Sequence, residues 1–189
     1  MLDVALKFLT RQLNAYLLSR TGSPFGEVEI GRLVDDSGKW AVKEDHVGAA
    51  LINVEEERAL RGQRPETVFV NGANVALEPA LKLNLHVMLA ANFQQYDQAL
   101  HYLSLVLTFF QSHPSFTQDR YPDLDPGIER LNVELESLGF EQLNQLWAYL
   151  GAKYLPSAVY RVRMAVLQDV EPTAVQPPVT AVEAEIHSR

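Results

Sequence analysis

Catalysis or metal binding needs side chains that converge. The candidates in this sequence are five histidines, one run of three carboxylates, an isolated serine and a pair of arginines. His46, His86, His101, His113 and His187 are never three or four residues apart, and no His-Glu-x-x-His segment occurs, so they show no metal-ligand spacing. His86 falls on the mixed face of a strand and His101 on the polar side of a helix, positions that suit hydrogen-bonded or surface histidines. Glu55, Glu56 and Glu57 precede Arg58, but neighbours in a strand point to opposite faces, so the three carboxylates do not meet at one cation. They read as a solvated strand end or a contact between subunits. Ser157 follows Pro156 with no His or Asp nearby in sequence. Because triads assemble from distant positions, a hydrolytic or small-molecule-binding domain stands as a rival class. Nucleotide-binding and nucleophile-elbow glycine motifs are absent, and Asn71-Gly72-Ala73-Asn74 reads as a turn.

Arg161 and Arg163 lie two apart on a strand and therefore share a face. That face is either simply solvated or a charged contact for an acidic partner surface. Trp147, Tyr149, Tyr154, Leu155 and Tyr160 gather around Gly151 and read as core, with tyrosine and tryptophan also suited to interface anchoring. No catalytic, cofactor-binding or metal-binding residue is expected.

A net charge of −8 is the wrong sign for a general binder of nucleic acid or of anionic membranes, and no run of Lys or Arg interrupts it. Without cysteine there are no disulfides or thiolate sites, which leans towards folding in a reducing compartment. Residues 1–20 do not read as a secretory signal, because Asp3, Lys7, Arg11 and Asn14 break the apolar stretch. No apolar run is long enough to span a bilayer. These readings point to a soluble protein assembled in the cytoplasm.

The elements that position these residues follow from periodicity. Leu2, Leu6, Leu9, Leu13 and Leu17 recur at helical spacing, stopped by Gly22 and Pro24. Strands are expected at 27–33, 39–42 and 49–55, with turn chemistry at Asp35-Asp36-Ser37-Gly38. Residues 61–76 read as a long loop or irregular hairpin. Residues 80–92 alternate with period 2, placing Leu81, Leu83, Leu85, Val87, Leu89 and Ala91 on one buried face. A helix at 94–112 is expected to bury Tyr96, Leu100, Leu103, Leu107 and Phe110. After a loop at 115–127, Leu131, Val133 and Leu135 mark a strand. Residues 140–150 form a short helix capped by Gly151, and 159–167 the last strand. Residues 170–189, with three prolines and no aromatic residue, read as a flexible tail behind a domain at 1–169. The order predicts an α+β fold, a mostly antiparallel sheet covered by helices.

Three segments together carry a resemblance. They are Leu51-Ile52-Asn53-Val54-Glu55-Glu56-Glu57-Arg58; residues 85–96 (LHVMLAANFQQY) running into Leu103-Ser104 and Phe109-Phe110-Gln111; and Leu146-Trp147 with Gly151-Ala152-Lys153-Tyr154-Leu155-Pro156-Ser157, Tyr160 and Arg163. In order and spacing the sequence resembles the N-terminal domain of cap, or tail-terminator, proteins of extracellular contractile injection systems of the Photorhabdus virulence cassette and antifeeding-prophage kind. The resemblance covers most of residues 1–169. It implies a tail-terminator-like α+β fold and a homo-hexameric ring that ends the inner tube and sheath of a particle released from the cell. It implies no enzymatic activity and no cofactor, and partners that are sheath and tube proteins rather than nucleic acid or membrane. A baseplate or terminal adaptor of the same particle is the alternative. Under this resemblance Tyr154 and Leu155, held between Gly151 and Pro156, become candidate interface residues. Arg161 and Arg163 would then pair with carboxylates such as Glu55 or Glu57 of a neighbour.

Overall fold

The computed structural model describes residues 1–57, 66–70, 73–77, 81–166 and 174–176. Helix α1 (Leu2–Thr21) opens the chain and ends at Gly22, whose left-handed φ of 64° lets its N–H reach Leu18 O. Strands β1 (Val28–Ile30) and β2 (His46–Glu56) follow. A small hairpin of β3 (Glu66–Val70) and β4 (Ala73–Leu77) precedes the long β5 (Leu81–Asn92). Then come α2 (Tyr96–Ser112), β6 (Ser115–Thr117), β7 (Ile128–Glu136), α3 (Phe140–Leu150), β8 (Ser157–Val166) and β9 (Ala174–Gln176). The main sheet has the order β1-β2-β5-β8-β7-β6, antiparallel except for the β1–β2 pair. Strands β3, β4 and β9 form a separate antiparallel sheet, so within the stretch expected as a long loop or irregular hairpin the described residues pair as regular strands. The expected boundary at 169 and the tail at 170–189 fall outside the described residues, apart from the three of β9.

Two hydrophobic clusters lie on opposite faces of the main sheet. On the inner face α1 and α2 cover β2, β5, β8 and β7 through Leu9, Leu13, Val106, Phe110, Val87, Tyr160 and Val162 among others. Each large apolar side chain buried this way contributes roughly 1.5–3 kcal/mol. On the outer face α3 places Trp147, with Leu143, Leu146 and Leu150, over Met88, Ala90 and Val159. Strand β5 is therefore buried on both faces from Val87 to Ala91, where alternation alone predicts one.

Three expectations about the elements change. The loop expected at 115–127 opens with strand β6, which pairs with β7. The piece at 39–42 is no strand; a single bridge joins Val34 to Trp40. Asp35 explains this, since its Oδ1 accepts from the N–H groups of Ser37 and Lys39 and from the Ser37 hydroxyl, closing a tight turn. The Ser37 hydroxyl and these amides hold the Asp35 carboxyl below its usual pKa. Helix α2 is rotated from the expected stripe. It buries Ala99, Tyr102, Val106, Phe109 and Phe110 and leaves Tyr96, Leu100 and Leu107 exposed. Apolar residues lie almost all round this helix, so periodicity alone does not choose the buried side.

Two sites test the inner core. Gly26 has a φ of 77°, and a Cβ there would lie 2.0 Å from the Tyr102 ring. Gly26→Ala combines left-handed strain with overpacking and is expected to cost about 2–4 kcal/mol, read from the midpoint of urea unfolding. The Tyr160 hydroxyl is buried without a hydrogen-bond partner, and burial raises its pKa well above the ordinary phenol value, which keeps it neutral. Tyr160→Phe removes an unsatisfied group, and its melting temperature should be equal to or above wild type; a fall equivalent to more than about 1 kcal/mol would reveal a hidden partner.

Candidate interaction surface on the outer face of the sheet

The outer face divides where α3 stops covering it. Beyond Met88 the same face of β5 carries His86 and Asn84, and register lines up polar residues across four strands. Asn53, His86, Arg161 and Glu134 make one row, and Glu55, Asn84, Arg163 and Asn132 the next. Cross-strand neighbours of this kind interact directly. A bulge between Leu51 and Asn53 brings Glu55 into its row. With strict alternation from Ala50, Glu55 would face the inner core; the extra residue shifts it to the outer face and keeps Val54 opposite Leu85.

Within the rows the charges are largely partnered inside the chain. Glu134 Oε2 accepts from Arg163 at 3.1 Å and lies 3.5 Å from Arg161. His86 Nδ1 donates to Glu136 Oε2 at 2.6 Å, while its Nε2 faces Glu55 at 3.4 Å. Asn84 Nδ2 donates to Glu57 Oε2 at 3.0 Å, and Asn53 donates to Glu55 at 2.9 Å. Three enclosed atoms have no hydrogen-bond partner: Asn84 Oδ1, His86 Nε2 and Arg161 Nε. Buried polar atoms of that kind cost free energy. Among the described residues no group of three or more His, Asp or Glu is arranged to hold a metal ion. The arrangement is one of ion pairs and hydrogen bonds, suited to recognition.

Beyond the α3 cluster, at the Ala91 end of β5, lies the connection from α3 to β8. The Gln142 side chain accepts from the Gly139 N–H to start α3, and Gly151, at φ 68°, ends it. Pro156 is buried, and its carbonyl accepts from Ala91 N, fixing the entry to β8. Between these anchors Leu155 packs into the outer cluster, while Tyr154 is 58% exposed with its ring 5.8 Å from Trp147.

The sequence-predicted site residues thus fall in two groups, Tyr154 and Leu155 beside α3 and the charged residues in the rows of His86 and Asn84, and are differently employed. Arg161 and Arg163, expected to reach a neighbouring subunit, share Glu134 of their own chain; Glu55 and Glu57 already meet His86 and Asn84. The aromatic group around Gly151 is not one core. Trp147 and Tyr160 are buried on opposite faces of the sheet, and Tyr149 is exposed. Sequence reasoning missed Glu134 and Glu136 as partners. Their alternation with Val133 and Leu135 marks the polar side of a strand, but register alone says which residues they face.

The Pvc16 N-terminal domain family matches residues 5–181. Two of the solved structures that share the fold are described by their similarity to this chain. One is the PVC sheath/tube terminator of an extracellular contractile injection system, in its extended state. It matches at a TM-score of 0.65 and 17% identity, over 96% of this chain and 62% of that one. The other is the anti-feeding prophage cap, a tube-terminating cap, at a TM-score of 0.64 and 16% identity, over 94% and 60%. The chain spans about three-fifths of the length of each. No curated protein sequence matches it.

The shared carboxylate gives a direct test of the ladder. Glu134→Gln separates two arginines from their common partner, and because all three side chains are partly exposed the loss should be roughly 0–1 kcal/mol. The difference from wild type should shrink as salt is added, measured by urea unfolding at low and high ionic strength.

Proposed function

The chain belongs to the Pvc16 N-terminal domain family, and from that membership we propose that it is a structural tail terminator of a phage-tail-like contractile injection system. It forms a ring at the distal end of the inner tube and sheath and halts their polymerisation. The observation that carries this reading is the fold shared over nearly the whole chain with a sheath/tube terminator. The subunit acts by shape and contact and has no enzymatic role. A cap on a six-fold tube has to match its symmetry, and closed rings use head-to-tail contacts, so the ring is a homo-hexamer. It is assembled in the cytoplasm and becomes part of a particle released from the cell. Among the described residues no helix is long and apolar enough to cross a membrane.

Tyr154, Leu155 and the ladder of Glu55, Glu57, Arg161 and Arg163 face the last tube and sheath layer in this reading. Tyr154 is exposed yet held between fixed anchors, so little freedom is lost when it packs on a partner. The arginines are already partnered, and exposed ion pairs contribute roughly 0–1 kcal/mol each. Packing therefore dominates affinity and the charges set register.

Particles made without this protein are expected to show uneven tube and sheath lengths by electron microscopy; uniform length would refute a terminator. With the protein present, Tyr154→Ala should broaden the length distribution more than Arg161→Glu does, both variants being checked for folding by circular dichroism. Normal particles with Tyr154→Ala, alongside lost assembly with Arg161→Glu, would reverse that order.

A further inference from the structure

A groove of about 240 Å³ opens where α1 ends, between the helix and the segment that leads into β1. Leu18, Pro24 and Phe25 give it apolar walls, with Leu18 and Phe25 54% and 63% exposed. Three polar residues line it as well. The Asn14 amide is engaged with the Val28 backbone, and Ser23 Oγ accepts from the Phe25 N–H. Glu27 is exposed and has no ion-pair partner among the described residues. Lys43 lies within electrostatic range of it but is bonded to Glu29, which the His46 ring also approaches at 3.9 Å. Small-molecule pockets run to roughly 300–1,000 Å³, so the groove suits a single inserted side chain better than a ligand.

An apolar groove with a carboxylate at its rim calls for an aromatic side chain beside a cation. Five aromatic residues are more than half exposed among those described: Phe25, Tyr96, Phe140, Tyr149 and Tyr154. Phe25 belongs to the groove itself. Tyr96 and Phe140 stand next to Asp97 and Glu141, which would bring like charge to Glu27. Tyr149 and Tyr154 flank Lys153, which is exposed and has no ion-pair partner among the described residues. The turn at Asp35 to Gly38 reaches the same tip, since a Cβ on Gly38 would lie 3.9 Å from Gly151 O. It adds the exposed Lys39, while Asp35 Oδ1 is bonded within the turn and Asp36 pairs with Arg32 at 3.0 Å. Tyr154 leans on Trp147, whereas Tyr149, on the last turn of α3, is 90% exposed.

We propose that Tyr149 of one subunit enters the α1 groove of a second copy of this chain, with Lys153 beside the Glu27 of that copy, head to tail around the ring. The docking rests on the ring reading above and names the surfaces that close it. The aromatic ring supplies buried area, and the lysine–glutamate pair at the rim sets orientation. Tip and groove are different patches on one chain, so each copy offers both halves of a heterologous contact, which propagates rather than stopping at a dimer. Tyr154 and the outer-face ladder take no part and stay available to the layer beneath.

Exchanging the charges across the contact tests it. Lys153→Glu and Glu27→Lys should each raise the concentration needed for assembly about tenfold or more at low salt, because like charges then face each other. Light scattering reads the assembly, and circular dichroism checks that these exposed substitutions leave the fold intact. The double variant Lys153→Glu with Glu27→Lys should recover assembly; no recovery would overturn the pairing. Tyr149→Ala should weaken assembly at every salt concentration, and unchanged assembly would overturn the docking. The absence of cysteine allows a second test. Leu18→Cys with Tyr149→Cys, oxidised in dilute solution, should give a ladder of disulfide-linked species. Linked dimers from either single variant would mean that like patches meet, and would overturn the head-to-tail contact. Equal linking by Leu18→Cys with Tyr96→Cys would mean random collision and would overturn it too. A wild-type ring that none of these substitutions disturbs would defeat the docking and leave the ring reading intact. A wild type without a ring, together with no linked ladder, would defeat both.

Discussion

The pairing of β5 with β2 on one side and β8 on the other is the constraint on which the molecule depends. These strands align over most of their lengths, and that alignment decides what every side chain of the sheet faces. Along β5 the inner face is apolar throughout, from Leu83 to Ala91. The outer face changes character between His86 and Met88. Above that point Met88 and Ala90 are small or pliable enough to take Trp147 of α3. Below it His86 and Asn84 require polar neighbours, and the register supplies Glu55, Glu136 and Glu57. A shift of one residue would send the apolar set to the outer face and His86 into the core, so register is strongly specified.

What could be read from the sequence was local. Gly22 and Gly151 both end helices in the left-handed conformation, because a chain stop needs only the residue at hand. The period-2 run of β5 and the helical spacing of α1 were visible for the same reason. Four things depend on distant parts of the chain and were not. The burial of both faces of β5 needs α3 to return over it. The rotation of α2 is set by α1 and the sheet, since its own residues offer apolar groups on both flanks. The outward position of Glu55 comes from a bulge, and the partners of Arg161 and Arg163 come from register across two strands. The bonding of Glu55, Glu57, Arg161 and Arg163 within the chain was therefore legible only in three dimensions.

The surfaces also divide the chemistry between them. The outer face holds paired charges that lock geometry but add little free energy where they are exposed. The flank of α2 is nearly free of charge and offers area. Screening by salt weakens the first kind of contact and leaves the second largely unaffected.

The two outermost strands of the main sheet, β1 and β6, are only three residues long. Where β2 runs on past β1, its edge carries the bulge together with Glu55 and Glu56. Short, kinked and charged borders are poor templates for another chain's backbone. The sheet is thereby guarded against edge-to-edge growth into fibres.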